Sequence, residues 1–149
     1  MAGDKEAKAR WADIEAPVFN ETAFTAPPPL NEATVAVVTT AALHHRDQES
    51  FLPFSADYQV LDGSRRDYVM GHWSPSIDMT GFAYDMNTVL PLDRLDELAA
   101  DGTVGAVSSH HLAYHGVQQD LSALRLDSGP AGAKRLKDSG VDVVLLTPI

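Results

Sequence analysis

The hydrophobic positions of this chain fall into short continuous runs separated by polar stretches that contain glycine and proline. The runs at 34–40 (TVAVVTT) and 141–149 (VDVVLLTPI) are rich in β-branched and aliphatic residues, which predicts buried strands. The run at 103–109 (TVGAVSS) predicts another strand, which leads directly into a loop with the sequence HHLAYHG. The stretches 58–63 and 67–73 are weaker strand candidates.

Two segments show helical patterns. Leucines at three-residue spacing, with a proline just before them and a glycine just after, predict a helix over 92–100. A second helix is predicted at 129–140, with Lys and Arg toward its end. Each helix precedes a hydrophobic run. This order predicts an α/β fold, a mainly parallel sheet flanked by helices in a Rossmann-like or flavodoxin-like arrangement.

The first 33 residues differ in character from the rest. The stretch 6–16 (EAKARWADIEA) has a helix-forming composition, and the segment after it contains four prolines, which favour an extended arm. We expect Phe19 and Phe24 to anchor this arm to the domain surface or to a partner. The chain is therefore predicted to divide into an N-terminal helix and Pro-rich arm over 1–33 and an α/β domain over 34–149.

Composition narrows the possible functions. A length of 149 residues fits one domain, and the net charge of -10 without Lys and Arg clusters argues against nucleic-acid binding. No apolar run approaches the ~20 residues needed to cross a bilayer, and the start of the chain lacks the apolar segment of a signal peptide. We expect a cytoplasmic location and no membrane partner. The absence of cysteine excludes disulfides, thiolate metal sites and Cys nucleophiles within these residues.

Histidines cluster at two places. If the sheet is parallel, the loops after the first strand and after the run at 103–109 both open at its carboxyl edge, where ligands usually bind. The candidate catalytic residues in these loops are His44, His45, His110, His111 and His115. On a helix, His111 and His115 would share one face, which makes them weak candidates for metal ligands. The alternative is that these histidines face solvent or make structural hydrogen bonds.

A long stretch at 72–91, HWSPSIDMTGFAYDMNTVLP, is a further candidate because loops of this length in compact domains are often functional. Its polar side chains could orient a histidine or bind an amine, and they could equally cap turns. Its aromatic residues Trp73, Phe82 and Tyr84 are expected to pack against the protein. The candidate substrate-binding residues are Asp47, His72, Asp78, Asp85 and Asn87.

Three stretches together carry a family resemblance: TTAALHHRDQESF, SPSIDMTGFAYDMNTVLPLDRLDELAADGTVGAV and SGVDVVLLTPI. They resemble the selenoprotein B-like family of glycine, sarcosine, betaine and D-proline reductases, and the resemblance covers roughly 34–149. Its most specific part is the order D-x-N-x-V-x-P-x-D-R-L-x-E-L, which starts at Asp85. Ala41 and Ala42 depart from the family pattern, because relatives are expected to have glycines at that turn.

The resemblance implies a chemistry that these residues lack. Members of the family reductively cleave a carbon–nitrogen bond of a small amine or amino acid, and they use a selenocysteine or cysteine. In similar relatives this residue follows the strand that corresponds to 141–149. We therefore expect no cofactor in this chain and a selenocysteine in full-length relatives. The histidines named above would then act as acid–base groups or bind substrate, and the partners would be other reductase subunits or further copies of the chain.

Three interpretations of the sequence stay open. In the first, the chain is the N-terminal part of such a reductase, ended by a UGA codon read as a stop or by a chosen truncation, and is inactive by itself. In the second, it is a short α/β binding or subunit module without redox chemistry. In the third, it is a histidine-based metal-binding protein. A sheet without its last helix would leave apolar surface uncovered, so the first interpretation also predicts an oligomer.

Overall fold

The fold was determined as a computed structural model, which describes residues 5–6, 9, 12, 18–21, 24–74, 79–118 and 120–149. The strands are β1 Thr34–Thr39, β2 Leu43–His45, β3 Tyr58–Asp62, β4 Tyr68–Met70, β5 Ala106–Val107, β6 His110–Tyr114 and β7 Val143–Thr147. The helices are α1 Thr80–Tyr84, a 3-10 helix Met86–Thr88, α2 Leu92–Ala100, a π-helix Leu124–Ser128 and α3 Gly129–Asp138.

Strand β1 lies in the middle of the main sheet. Strand β7 lies along one edge of β1 and pairs with it in parallel over Val35–Thr39. On the other edge, β5 pairs with the start of β1 and β6 pairs with its end, both in parallel. Strand β3 adds to β6 in antiparallel orientation, and β2 and β4 form a separate antiparallel pair. The sheet is thus mainly parallel with helices beside it, so the predicted α/β class is confirmed.

Alternation along β1 directs apolar side chains to both faces of the sheet. Val35 and Val37 belong to a core cluster with Leu92 and Leu95 of α2. Ala36, on the opposite face, packs in a cluster with Leu112, Tyr114 and Leu136 of α3. Burial of Leu92 and of Leu95 stabilises the fold by about 2 kcal/mol each.

The predicted helix over 92–100 is confirmed, and α3 confirms most of the helix predicted over 129–140. Both helices are followed by a glycine in the left-handed region, Gly102 with φ 81° and Gly140 with φ 78°. A residue with a Cβ atom would be strained at these positions, so glycine ends both helices at low cost.

The strand predicted at 103–109 is confirmed only for Ala106–Val107, and the histidine loop predicted after it is wrong. Only Ala106–Val107 is a strand there, and the sequence HHLAY forms β6, with Leu112 and Tyr114 on one face and Ala113 on the other. The two strands share one edge of β1 with a break at Ser108 and Ser109. His44 and His45 likewise lie in the short strand β2 and not in a loop.

The final strand was predicted correctly in position, but its predicted burial is wrong. β7 covers Val143–Thr147, and its central residues Val144, Leu145 and Leu146 are 40%, 40% and 68% exposed. The physical reason is that β7 pairs with β1 alone among the described strands, so it lies at the edge of the sheet.

The N-terminal arm makes a contact through Phe19, whose ring lies 5.6 Å from the guanidinium carbon of Arg125. Phe24 is 82% exposed and does not anchor the arm to the domain. Most of the helix predicted over 6–16 lies outside the described residues. In the part of the chain that is described, no helix is long and apolar enough to cross a membrane.

Candidate functional site

The carboxyl ends of β1, β6 and β7 meet at one edge of the sheet. The Thr40 backbone N–H donates to the Thr147 carbonyl at 3.2 Å, and the Thr40 hydroxyl accepts from the Ile149 N–H at 2.8 Å. On the other side of β1, the Ala42 N–H donates to the Tyr114 carbonyl at 2.9 Å. In parallel sheets, this edge is where ligands commonly bind.

Two imidazoles lie at this edge. His72 and His115 stack with their ring centroids 4.5 Å apart and an angle of 18° between the ring planes. The Trp73 N–H donates to Nε2 of His115 at 3.3 Å, and the Ser74 N–H donates to Nδ1 of His72 at 3.1 Å. Nε2 of His72 is buried and has no hydrogen-bond partner among the described residues.

The electrostatics favour a neutral His72. Burial lowers the pKa of His72, and the neighbouring His115 lowers this pKa further. Because Nδ1 accepts a backbone N–H, the proton of the neutral ring is on Nε2. The edge therefore presents an N–H donor that has no acceptor within the described ranges, and this group can hydrogen-bond to an anion or to another acceptor of a bound molecule.

Gly116 allows the strand ends to approach so closely. A Cβ atom at Gly116 would lie 3.0 Å from the Thr40 carbonyl oxygen, 3.2 Å from that of Ile149 and 3.3 Å from Nε2 of His72. Two of these neighbours are backbone atoms, which cannot move aside easily. A side chain at this position would therefore separate the strand ends from His72.

The turn after β1 is strained. Ala42 has a φ of 51°, in the left-handed region where an alanine costs about 1 kcal/mol relative to glycine. The family resemblance implied glycines at this turn, and the backbone conformation explains why glycine would suit it.

Aromatic side chains surround the pair of imidazoles. The rings of Phe51 and Phe54 lie 6.4 and 6.5 Å from His115, and the indole N–H of Trp73 donates to the Phe51 carbonyl at 2.6 Å. Phe54 is 52% exposed and has a φ of 59°, which is unusual for a bulky residue. This rim gives the edge an apolar border.

The predicted packing of the three aromatic residues in the stretch 72–91 holds for one of them. Phe82 packs against the core cluster. Trp73 and Tyr84 are 57% and 88% exposed, so their predicted packing is wrong. Trp73 keeps its indole in place by the hydrogen bond to Phe51 and not by burial of its ring.

His44 and His45 take part in hydrogen bonds of the β2–β4 pair and β3. Nδ1 of His45 bonds to Asp67 at 2.9 Å, while its Nε2 accepts from the Asp62 N–H at 2.8 Å. Nδ1 of His44 lies 2.9 Å from the His45 carbonyl oxygen. Both nitrogens of His45 are therefore engaged within the protein, as in the structural alternative that the sequence left open.

Asp47 belongs to the exposed part of the same network. It pairs with Arg65 at 2.8 Å, and Arg65 also contacts Asp67. Hydrogen bonds from Arg65 hold the pKa values of both carboxyl groups below their usual range. Asp47 is thus engaged with an arginine and not with the imidazoles at the carboxyl edge.

The imidazole of His111 accepts a backbone hydrogen bond inside the sheet, in the place of a carbonyl group of a neighbouring strand. It is fully buried, and its Nδ1 accepts the Val37 N–H at 3.0 Å, across the break between β5 and β6. Burial lowers the pKa of His111 to about 4. His110 is half-buried at the start of β6, and its Nδ1 lies 3.2 Å from the Ser109 hydroxyl.

The structure does not bring His111 and His115 together. A four-residue separation along extended backbone places them roughly 13 Å apart, so the helical geometry considered for a metal pair is wrong. Within the described ranges, no group of three or more His, Cys, Asp or Glu side chains could hold a metal ion.

Asp85 and Asn87 cap helices. Asp85 accepts from the Asn87 N–H at 2.9 Å, and Asn87 in turn accepts from the Asp93 N–H at the start of α2 at 3.1 Å. Arg66 donates to Asp93 at 3.1 Å. These hydrogen bonds connect the 3-10 helix to the start of α2, and they give much of the D-x-N-x-V-x-P-x-D pattern a structural role. Asp78 lies outside the described residues.

The sequence did not reveal the partnership of His72 with His115, nor the roles of Thr40 and Gly116. His72 and His115 were each candidates, but 43 positions separate them and no periodicity connects them. The available signal was the small polar pair Thr-Thr at the end of the first strand and the glycine directly after His115.

A comparison with curated proteins finds a relative among the reductases that the sequence resembles. D-proline reductase subunit gamma of Acetoanaerobium sticklandii is 31% identical over 121 residues, which are 79% of this chain and 49% of the relative. The chain thus spans about half the length of this relative. No family model and no solved structure matches the chain. The match agrees with the resemblance in the sequence, and the chain belongs to the family of glycine and D-proline reductase proteins.

Proposed function

We propose that this chain is part of a reductase that cleaves a carbon–nitrogen bond of a small amine or amino acid, of the class that includes D-proline, glycine, betaine and sarcosine. The observation that carries the proposal is the 31% identity with a D-proline reductase subunit over 79% of the chain. The 149 residues contain no cysteine. The reducing selenol or thiol would therefore come from polypeptide outside them.

The carboxyl edge of the sheet suits a role beside such a group. Ile149, two residues after β7, lies against Thr40 and Gly116 and near Nε2 of His72. A selenol or thiol in this position would supply the electrons for the reduction. The buried Nε2–H of His72 has no acceptor among the residues that the structure describes, and a selenolate, a thiolate or a substrate carboxylate would satisfy it.

Reductive cleavage of a carbon–nitrogen bond consumes two electrons and two protons, and it ends with a new C–H and a new N–H bond. In our proposal, the residues of this chain bind and orient the substrate. His72 donates a hydrogen bond, and the aromatic rim of Phe54 and Trp73 keeps water from one side of the edge. Neutral His72 is a poor proton donor, so the proton for the departing nitrogen comes from another group.

A second candidate function is a subunit module without redox chemistry of its own. The absence of any cysteine in the 149 residues favours it. In that case the carboxyl edge would bind a small molecule or a partner protein. The redox-active residue of the reductase would then belong to a different polypeptide.

The first test is the nucleotide sequence beyond the codon for Ile149. A UGA codon followed by a continuing frame with selenocysteine or cysteine is expected. The full frame would then be expressed with selenium, together with the subunits that co-purify, and assayed for dithiol-dependent cleavage of D-proline, glycine, betaine and sarcosine. No cleavage of any of the four substrates by the selenium-loaded complex would refute the proposal.

Two variants of the full protein then test the site. His72→Ala is expected to lower kcat/KM by at least tenfold, because the donor at the carboxyl edge is lost. His110→Ala, at the opposite end of β6, is the matched control and should keep the wild-type rate. Equal rates for both variants would exclude His72 from the reaction.

A further inference from the structure

Strand β7 has the composition of a central strand but lies at an edge. Its residues, VVLLT, include no charge, no proline and no glycine, and three of them are at least 40% exposed. Natural edge strands usually carry a charge, a proline or a bulge that prevents pairing with another strand. Within the part of the chain that is described, only β1 pairs with β7. None of the described strands therefore occupies the other edge of β7, which can accept a further strand.

The backbone groups at this open edge can be assigned. The Thr147 carbonyl points toward β1, because it accepts from the Thr40 N–H at 3.2 Å. Backbone groups of successive residues in a strand point to opposite edges. The backbone N–H and C=O groups of Val143 and Leu145 therefore also point toward β1. The N–H and C=O groups of Val144 and Leu146 face the open edge.

We propose that this edge binds a second copy of the chain, with two β7 strands antiparallel and the two-fold axis at Leu145. Val144 of one copy then faces Leu146 of the other in a hydrogen-bonded pair, and the symmetry repeats this pair. Pro148, which has no N–H, ends the ladder on both sides. The two sheets become one continuous sheet.

A second copy fits this edge because β7 is complementary to itself. In this register Leu145 meets Leu145 on one face, and Val144 meets Leu146 on the other. Although each chain carries a net charge of -10, no charged side chain occurs between Val143 and Thr147. The nearest one, Asp142, would face Pro148 of the other copy, and it already accepts from the Thr34 N–H at 2.9 Å.

The absence of cysteine makes the register testable. In Leu145→Cys, the two thiols would lie across a non-hydrogen-bonded pair, with Cα atoms about 4.5 Å apart, within disulfide range. In the control Leu146→Cys, the Cα atoms would be about 8 Å apart, which is too far. Under mild oxidation, we expect Leu145→Cys to form covalent dimer at least tenfold faster, although Leu146 is the more exposed position. Equal rates, or faster reaction of Leu146→Cys, would overturn the proposal.

The oligomeric state provides an independent measurement. Light scattering over a range of concentrations should show a dimer, and Leu146→Lys should raise its dissociation constant at least tenfold by placing a charge in the ladder region. Leu126→Lys, at a 75% exposed position in the π-helix, is the matched control. A monomer at all concentrations would overturn the proposal and leave the open edge to a strand from a different polypeptide. A dimer that both lysine variants weaken equally would also overturn it.

Discussion

The histidines inside the sheet and the histidines at its carboxyl edge differ in what they bond to. His45 and His111 hold backbone N–H groups of Asp62 and Val37, so their imidazoles complete the hydrogen bonding of the strands. His72, at the edge, accepts a single N–H, and its Nε2 has no hydrogen-bond partner in the described part of the chain. Nearness of histidines in sequence therefore does not identify a site, whereas their hydrogen-bond partners separate structural from functional candidates.

His111 also has an unpartnered Nε2, and this atom needs a separate explanation. A Cβ atom at Gly63 would lie 2.9 Å from it, and His111 is fully buried. Glycine at this position lets the β3 turn close over the ring. Both nitrogens are buried, but that of His111 lies inside the sheet, whereas that of His72 lies where three strands end.

The largest effect is expected for His111→Ala. The change leaves the Val37 N–H unsatisfied in the central strand and creates a cavity, so the free energy of unfolding should fall by about 3 kcal/mol. Urea unfolding of the variant would measure this loss. His110→Ala is the control, since the neighbouring ring is half-buried and should contribute within about 0.5 kcal/mol. A loss below about 1 kcal/mol for His111→Ala would show that Val37 finds another acceptor.

A smaller loss is expected for His45→Ala. The Asp62 N–H then lacks its acceptor, and the free energy of unfolding should fall by about 2 kcal/mol. Asp67→Asn is a matched comparison, because it weakens the contacts with Arg65 and His45 but keeps the bond from Asp62 to the imidazole. Urea unfolding should therefore rank His45→Ala as the more damaging change. The reverse order would mean that the surface ion pairs stabilise this region more than the buried ring does.

The same contrast predicts a pH dependence. The pKa of His111 is about 4 in the folded protein and near 6.5 when unfolded, so the unfolded chain takes up the proton first as the pH falls. The contribution of neutral His111 to the free energy of unfolding is fully present above pH ~6.5 and decreases down to pH ~4. The free energy of unfolding should fall by about 2 kcal/mol between pH 7.5 and 5. His72, whose pKa is also lowered by burial, adds to this loss.

Urea unfolding at pH 7.5, 6 and 5 would measure the decline, and His111→Asn, which cannot titrate, should show a flatter dependence. Asp67 does not interfere, because its pKa is lowered and its contribution is lost only below the unfolded value near ~3.9. Parallel curves for the wild type and His111→Asn would contradict the assignment of this pH dependence to His111.

The sequence predicted the α/β class and both longer helices, because leucine spacing and a closing glycine act locally. It failed at 103–114, where the strand is interrupted and His111 takes the place of a backbone acceptor. No local sequence pattern predicts that a histidine side chain accepts this backbone hydrogen bond, since His111 and Val37 are 74 residues apart in the chain. The pairing of His72 with His115 is equally non-local. By contrast, the turn at Ala42 could be suspected from the family pattern alone.

The smallest stability change is expected for His72→Ala. The variant loses the stack with His115 and the bond from Ser74, but it also removes a buried N–H that has no partner, and these effects oppose each other. The free energy of unfolding should therefore change by less than about 1 kcal/mol, whereas under the proposed function kcat/KM of the full protein falls at least tenfold. His115→Ala should destabilise the protein more, because Nε2 of that ring accepts the Trp73 N–H and its Nδ1 lies 3.3 Å from the Val117 carbonyl oxygen, so both ring nitrogens have partners. If urea unfolding shows that His72→Ala costs as much as His111→Ala, the edge histidine is structural too, and the distinction between the two regions fails.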